Sequence, residues 1–168
     1  MKEFLKGLFR KENIKRGLQY ALFMLLMLIF QTMVITHIRP LGVCAFVLPT
    51  VAIAVGMFEG ATFGTAFGLI LGIFTDMFFV ESTVMYTMLF PALAFATGFV
   101  SQFFINRRFV SFIAAATVGM LVTGFVQILA VSLTDSFSFS MITTVILQTL
   151  WTLPVSLLAY FPAARWIE

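Results

Sequence analysis

Six apolar stretches, each long enough to cross a bilayer as a helix and parted from the next by a few polar residues, constrain this chain more than any other feature. A hydrocarbon core about 30 Å thick takes roughly 20 helical residues to cross. The stretches fall at 17–38, 41–58, 61–80, 84–105, 109–134 and 141–162. With 61% hydrophobic and 10% charged residues and a mean hydropathy of +1.09, the chain has too few polar side chains to cover itself in water. The expected fold is an all-α integral membrane protein, a six-transmembrane-helix bundle with a short N-terminal amphipathic interfacial helix.

Three regions follow: a basic amphipathic segment over 1–16, one transmembrane domain over 17–162 and a short tail over 163–168. In "MKEFLKGLFRKENIKR", Phe4, Leu5, Leu8 and Phe9 share a helix face while Lys2, Lys6, Arg10 and Lys11 project elsewhere, the pattern of a helix lying on an anionic leaflet. The apolar run from Leu18 to Ile35 is longer than a signal-peptide core and no small-x-small cleavage site follows it, so the first helix is expected to stay as an anchor. The links "HIRP", "EG", "ESTV", "NRR" and "TDSFSFS" leave no room for a folded domain outside the membrane and make successive helices antiparallel neighbours.

Six crossings put every one of the ten basic residues except Arg39 on one side, so both termini are expected to be cytoplasmic. The pI of 9.4 then reports topology rather than affinity for nucleic acid. Enzyme chemistry finds little material. His37, the sole histidine, stands at a membrane edge beside Arg39 and Pro40, and no second imidazole or cysteine pair completes a metal site. Cys44, the sole cysteine, excludes an internal disulfide and reads as a small core thiol. The serines of "SLTDSFSFS" lack a base that would activate them, and no phosphate-cradling glycine loop exists. The chain is therefore expected not to be an enzyme and to carry no cofactor, metal or catalytic residue.

Two patterns do ask for an explanation. Gly56, Gly60, Gly64, Gly68 and Gly72 stand four apart, with Asp76 the next step. On a helix such positions trace a winding groove that another backbone can approach closely. Gly60, Gly64, Gly68 and Gly72 therefore mark a packing groove, for the bundle's own helices or for a partner's, with Gly60 also suited to the positive φ of a tight turn. Asp76 belongs to a second pattern. A carboxylate within a span is costly unless hydrated or hydrogen-bonded, and Gln31, Gln127 and Gln148 fall in the same outer half of their spans. This polar layer reads as interhelical glue, a ligand pocket or a partner notch. Pro49, Pro91 and Pro154 fall inside spans and are expected to kink them.

Pro49, the turn at Gly60 and "GTAFGLILGIFTD" from Gly64 to Asp76 together resemble the Pro…Gly-x3-Gly-Leu-x6-Asp core of MreD, the rod-shape-determining membrane protein family of bacteria. The resemblance implies a non-enzymatic scaffold of the cell-elongation machinery in the cytoplasmic membrane, working with MreC, MreB, RodA and a class B penicillin-binding protein. It places Pro49, Gly64, Gly68, Leu69 and Asp76 under the family's constraints. The alternative is a substrate-binding S subunit of an energy-coupling-factor vitamin transporter, with the polar layer as its pocket; the bulky first helix, "ALFMLLMLIFQTMVI", lacks the Ala-x3-Ala face such subunits carry.

Overall fold

The computed structural model describes residues 11–35, 37, 42–78, 84–103, 109–134 and 139–165, with side chains over 17–35, 37, 42–78, 84–102, 109–132, 139–157 and 159–160. Most of the N-terminal interfacial segment, Arg39, Glu81, Arg107, Arg108, Asp135 and Trp166 lie outside them. Every regular element among the described residues is helical: α1 (Lys11–Ile29) running into a π-helical turn (Phe30–Ile35), then α2 (Leu48–Glu59), α3 (Ala61–Phe78), α4 (Met85–Phe103), α5 (Phe109–Thr134) and α6 (Phe139–Arg165).

Four of these helical stretches are long and apolar enough to cross a membrane, namely Gly17–Ile35, Ala61–Phe78, Phe109–Ser132 and Phe139–Leu157. α4 has the length, at 19 residues, but carries Tyr86, Thr87, Thr97, Ser101 and Gln102 and is less apolar. α2 corrects the expectation of a helix over 41–58. Residues 43–47 are not helical and only 12 residues, Leu48–Glu59, are, a rise of about 18 Å at 1.5 Å per residue. Pro49 explains where the helix starts. It sits in the first turn, after the N-cap residue Val47, where a missing N–H costs nothing. Pro49 therefore opens a helix instead of kinking one. Pro91 lies within α4 and Pro154 within α6, and each withholds a donor from the carbonyl four residues before it.

α2 is apolar all round, and every residue from Leu48 to Phe58 is buried, as a helix enclosed by others must be. It packs against α3, α4, α5 and α6. A single residue, Gly60, joins it to α3. Its φ of 95° lies in the region that favours glycine, and its N–H donates to the Gly56 carbonyl at 3.0 Å. Here the turn reading of Gly60 is the operative one, and Gly56 joins the groove.

That groove is filled from within the chain. A Cβ placed on Gly68 would lie 2.8 Å from the Phe90 carbonyl oxygen, and one on Gly72 would lie 2.5 Å from that of Tyr86. A Cβ on Gly64 would collide with the Gly56 backbone, one on Gly56 with the Ala94 carbonyl, and one on Gly98 would come within 2.6 Å of Ala61. Three backbones, those of α2, α3 and α4, thus meet at van der Waals distance through Gly56, Gly64, Gly68, Gly72 and Gly98. Lipid tails are as apolar as leucine, so close fit and weak Cα–H···O contacts hold such helices together. The opposite face of α3 presents Phe63, Leu69, Ile70, Ile73, Phe74 and Met77 outward.

The expectation that each helix packs on the next holds weakly for α1 on α2 and fails for α4 on α5. α4 and α5 barely touch each other. α4 is drawn to the glycine faces of α2 and α3, while Gly119 of α5 seats against Ile53 of α2. An apolar cleft of about 810 Å³ opens between α4 and α5 over Met57, Leu93, Thr97, Ser101, Ala115 and Gly119.

Candidate functional site

Two backbone segments towards one end of the bundle take hydrogen bonds from side chains of other helices. The first is the start of α4. A helix leaves its first N–H groups without intrahelical acceptors, and a side-chain oxygen at the N-cap normally takes those of the second and third residues. Val84, in the cap position, has a hydrocarbon side chain and a φ of 54°, uncommon for a β-branched residue. Asp76, near the end of α3, takes over the role. Its Oδ1 accepts from the Tyr86 N–H at 3.2 Å, and its Oδ2 accepts from the Thr87 N–H at 2.8 Å and the Thr87 hydroxyl at 2.6 Å. The carboxylate also faces the positive end of the α4 dipole.

The second segment is 43–47, whose non-helical backbone lies in the protein interior. Irregular backbone at membrane depth is tolerated only where protein groups or water satisfy it. Gln31, 2% exposed in the π-helical turn, spans the break: its Nε2 donates to the Ala45 carbonyl and its Oε1 accepts from the Val47 N–H, both at 2.9 Å. The Phe46 N–H donates to the Thr152 hydroxyl of α6 at 3.0 Å, and that hydroxyl donates to the Gln148 carbonyl at 2.6 Å. At the start of α2, the Thr50 hydroxyl donates to the Val47 carbonyl at 2.6 Å.

Tyr86 joins the two segments. Its N–H is on Asp76, its hydroxyl accepts from Gln127 Nε2 at 2.8 Å, and its ring lies 5.2 Å from Phe46 and 5.4 Å from Phe90. Asp76, Gln127 and Gln31 are therefore engaged with backbone or phenol groups inside the bundle. Gln148 stands apart. It is half-buried and lines, with Gln127, a separate small cleft between α5 and α6.

No family model, curated protein or solved structure matches the chain.

The opposite end of the bundle has polar contacts between helices as well. The Tyr20 hydroxyl of α1 donates to Oε1 of Glu59, the last residue of α2. His37 is exposed, with its N–H on the Val34 carbonyl at 3.2 Å, and Cys44 is half-buried. Among the described residues no three His, Cys, Asp or Glu side chains gather as a metal site would require. Buried hydroxyls at Thr75, Ser101, Thr123 and Thr149 donate to backbone carbonyls, so each has a structural duty. Sequence reasoning missed Tyr86, Thr87 and Thr152 because none is unusual alone. The available signals were Val84, which cannot cap a helix, and Thr152, one turn after Gln148.

Proposed function

We propose that this chain is a non-enzymatic scaffold of the bacterial cell-elongation machinery, of the kind MreD represents, acting in the cytoplasmic membrane with both termini inside the cell. One observation carries the reading: the residues of the Pro…Gly-x3-Gly-Leu-x6-Asp pattern serve a single structural unit. Pro49 opens α2, Gly64 and Gly68 let α3 meet the α2 and α4 backbones, and Asp76 caps α4. Leu69, at 44% exposed, belongs to the outward face of the same unit. A scaffold with such short links must be recognised through its helix surfaces, and the rigid α2–α3–α4 unit supplies one in Leu69, Ile70, Ile73, Phe74 and Met77. The short α2 is compatible with six crossings. Its rise of about 18 Å covers more than half of a core about 30 Å thick, and the non-helical residues 43–47 extend the same stretch.

The partners this role implies are MreC, MreB, RodA and a class B penicillin-binding protein. Depleting the protein in a rod-shaped host while co-purifying a tagged copy from the same membranes tests the proposal. Rounded cells with recovery of MreC or the wall synthases are the expected result. Unchanged rods, with an ATPase-containing transporter module recovered instead, would overturn it in favour of a substrate-binding S subunit.

A further inference from the structure

The cleft between α4 and α5, at about 810 Å³, falls within the roughly 300–1,000 Å³ of small-molecule sites. Its two walls are in register. Leu93 of α4 comes within 3.8 Å of where a Cβ on Gly119 of α5 would stand, and antiparallel steps of four from there put Thr97 level with Ala115 and Ser101 level with Ser111. The cleft is therefore graded along its length, with serines at one end and Leu93, Val118 and Val122 at the other. No charged side chain lines it. Two of its hydroxyls are already committed to backbone: Thr97 donates to the Leu93 carbonyl at 2.8 Å, and Ser101 donates to those of Met57 at 3.1 Å and Gly98 at 3.0 Å. Past the serines the cleft offers an occupant hydrocarbon alone, so a ligand with a buried polar group would leave that group unsatisfied.

We infer that this cleft is a binding site for a membrane lipid, with the headgroup at the Ser101 and Ser111 end and one hydrocarbon tail running between Thr97 and Ala115 towards Val122. Three features select that occupant. A polar mouth over a hydrocarbon interior is the pattern of an amphiphile. The lining from Ser111 to Val122 rises about 16 Å along α5, close to half of a core about 30 Å thick and so to the depth of one leaflet. In sequence the serine end adjoins Arg107 and Arg108, charges that keep to a membrane surface, so the mouth faces the headgroups. The third feature is the pinch at Leu93 and Gly119, which is too narrow to seat between them a partner helix 10–12 Å across with its side chains. A flexible tail follows such a taper, and the alanines and glycine of the walls leave it room. The inference requires only that the chain lies in a membrane and does not depend on the scaffold reading.

The test places the full-length chain in phosphatidylcholine vesicles that contain a phosphatidylcholine with a diazirine midway along one acyl chain. The protein is extracted, washed in detergent, irradiated at successive stages and mapped by peptide mass spectrometry. The outward face of α3, at Leu69, Ile70, Ile73 and Phe74, is the control for lipid that merely surrounds the bundle. Label at 93–101 and 111–122 should outlast label on that face, raising their ratio about tenfold over the wash, as a binding preference of that size requires. Equal loss from both faces, or a cleft unlabelled from the start, overturns the proposal. Ala115→Phe and Ala96→Phe fill the cleft from α5 and from α4, and either one, with hydrogen exchange at Tyr86 and Thr87 unchanged as evidence of folding, should lose the persistent label. A folded variant that keeps it also overturns the proposal. A photo-reactive residue in place of Val118, irradiated in native membranes, should add the mass of a lipid, whereas addition of another protein would assign the cleft to a partner instead.

Discussion

Replacing Asp76 separates its work as a cap from any role as a charge. In the folded chain its two oxygens accept three hydrogen bonds at 2.6–3.2 Å from the first turn of α4. Asp76→Ala removes both acceptor oxygens and leaves two backbone N–H groups facing an apolar methyl in a half-buried site. Loss of an N-cap costs about 0.5–2 kcal/mol, and loss of a negative charge at a helix N-terminus about 0.3–1 kcal/mol. The alanine variant should therefore lose about 1–3 kcal/mol of stability, with a middle value of about 2. Asparagine caps helices about as well as aspartate, but its amide has one acceptor oxygen and turns an NH2 group towards the remaining donors. Asp76→Asn should lose about 1 kcal/mol. Hydrogen exchange at the Tyr86 and Thr87 amides reads the effect where it arises. In the alanine variant both should exchange roughly thirtyfold faster, taking 1.4 kcal/mol per tenfold change, while amides in the middle of α5 change little. Equal exchange in the alanine variant and the wild type would refute the cap account, and an asparagine variant as damaged as alanine would show that charge dominates.

Gly68→Ala forces a methyl to within 2.8 Å of the Phe90 carbonyl oxygen and should cost about 1–3 kcal/mol through overpacking, read as loss of stability in detergent titration. Gly17→Ala, with open space around it, should be neutral or stabilising by up to about 1 kcal/mol and serves as its control. Gln31→Leu orphans the Ala45 carbonyl and Val47 N–H in the interior and should destabilise by about 2–4 kcal/mol, with faster exchange at Val47 as its local signature. Tyr20→Phe removes the hydroxyl that Glu59 accepts at the C-terminal end of α2, where the helix dipole already disfavours a carboxylate. A loss of about 1–2 kcal/mol is expected, and a protease-resistance assay unchanged from wild type would refute it.

What hydropathy reads, it reads well. The stretches at 61–80, 84–105 and 109–134 correspond to Ala61–Phe78, Met85–Phe103 and Phe109–Thr134, because runs of apolar residues in lipid must close their backbone bonds within a helix. The break at 43–47 escaped because "GVCAFVLP" is apolar throughout, so its hydropathy is that of a helix. Only Pro49, as a helix opener, pointed to it. The bonds that make the break tolerable come from Gln31, 14 residues before Ala45, and Thr152, 106 residues after Phe46, and no local pattern reports contacts at such separations. The glycine spacing was legible as a groove, but its occupant was not, since α4 advertises its fit only through Pro91, Ala94 and Gly98.

The break in the second apolar stretch has a consequence for the rest of the bundle. A continuous helix there would have closed its own hydrogen bonds and left α1 and α6 held by shape alone, a weak grip in lipid. The non-helical backbone at 43–47 instead takes one amide from the π-helical turn that follows α1 and one hydroxyl from α6. The registers of α1 and α6 on the α2–α3–α4 unit are thereby set through Gln31 and Thr152. Thr152 also donates to the Gln148 carbonyl one turn before it, so the hydroxyl that seals the break is held in place by the helix that carries it.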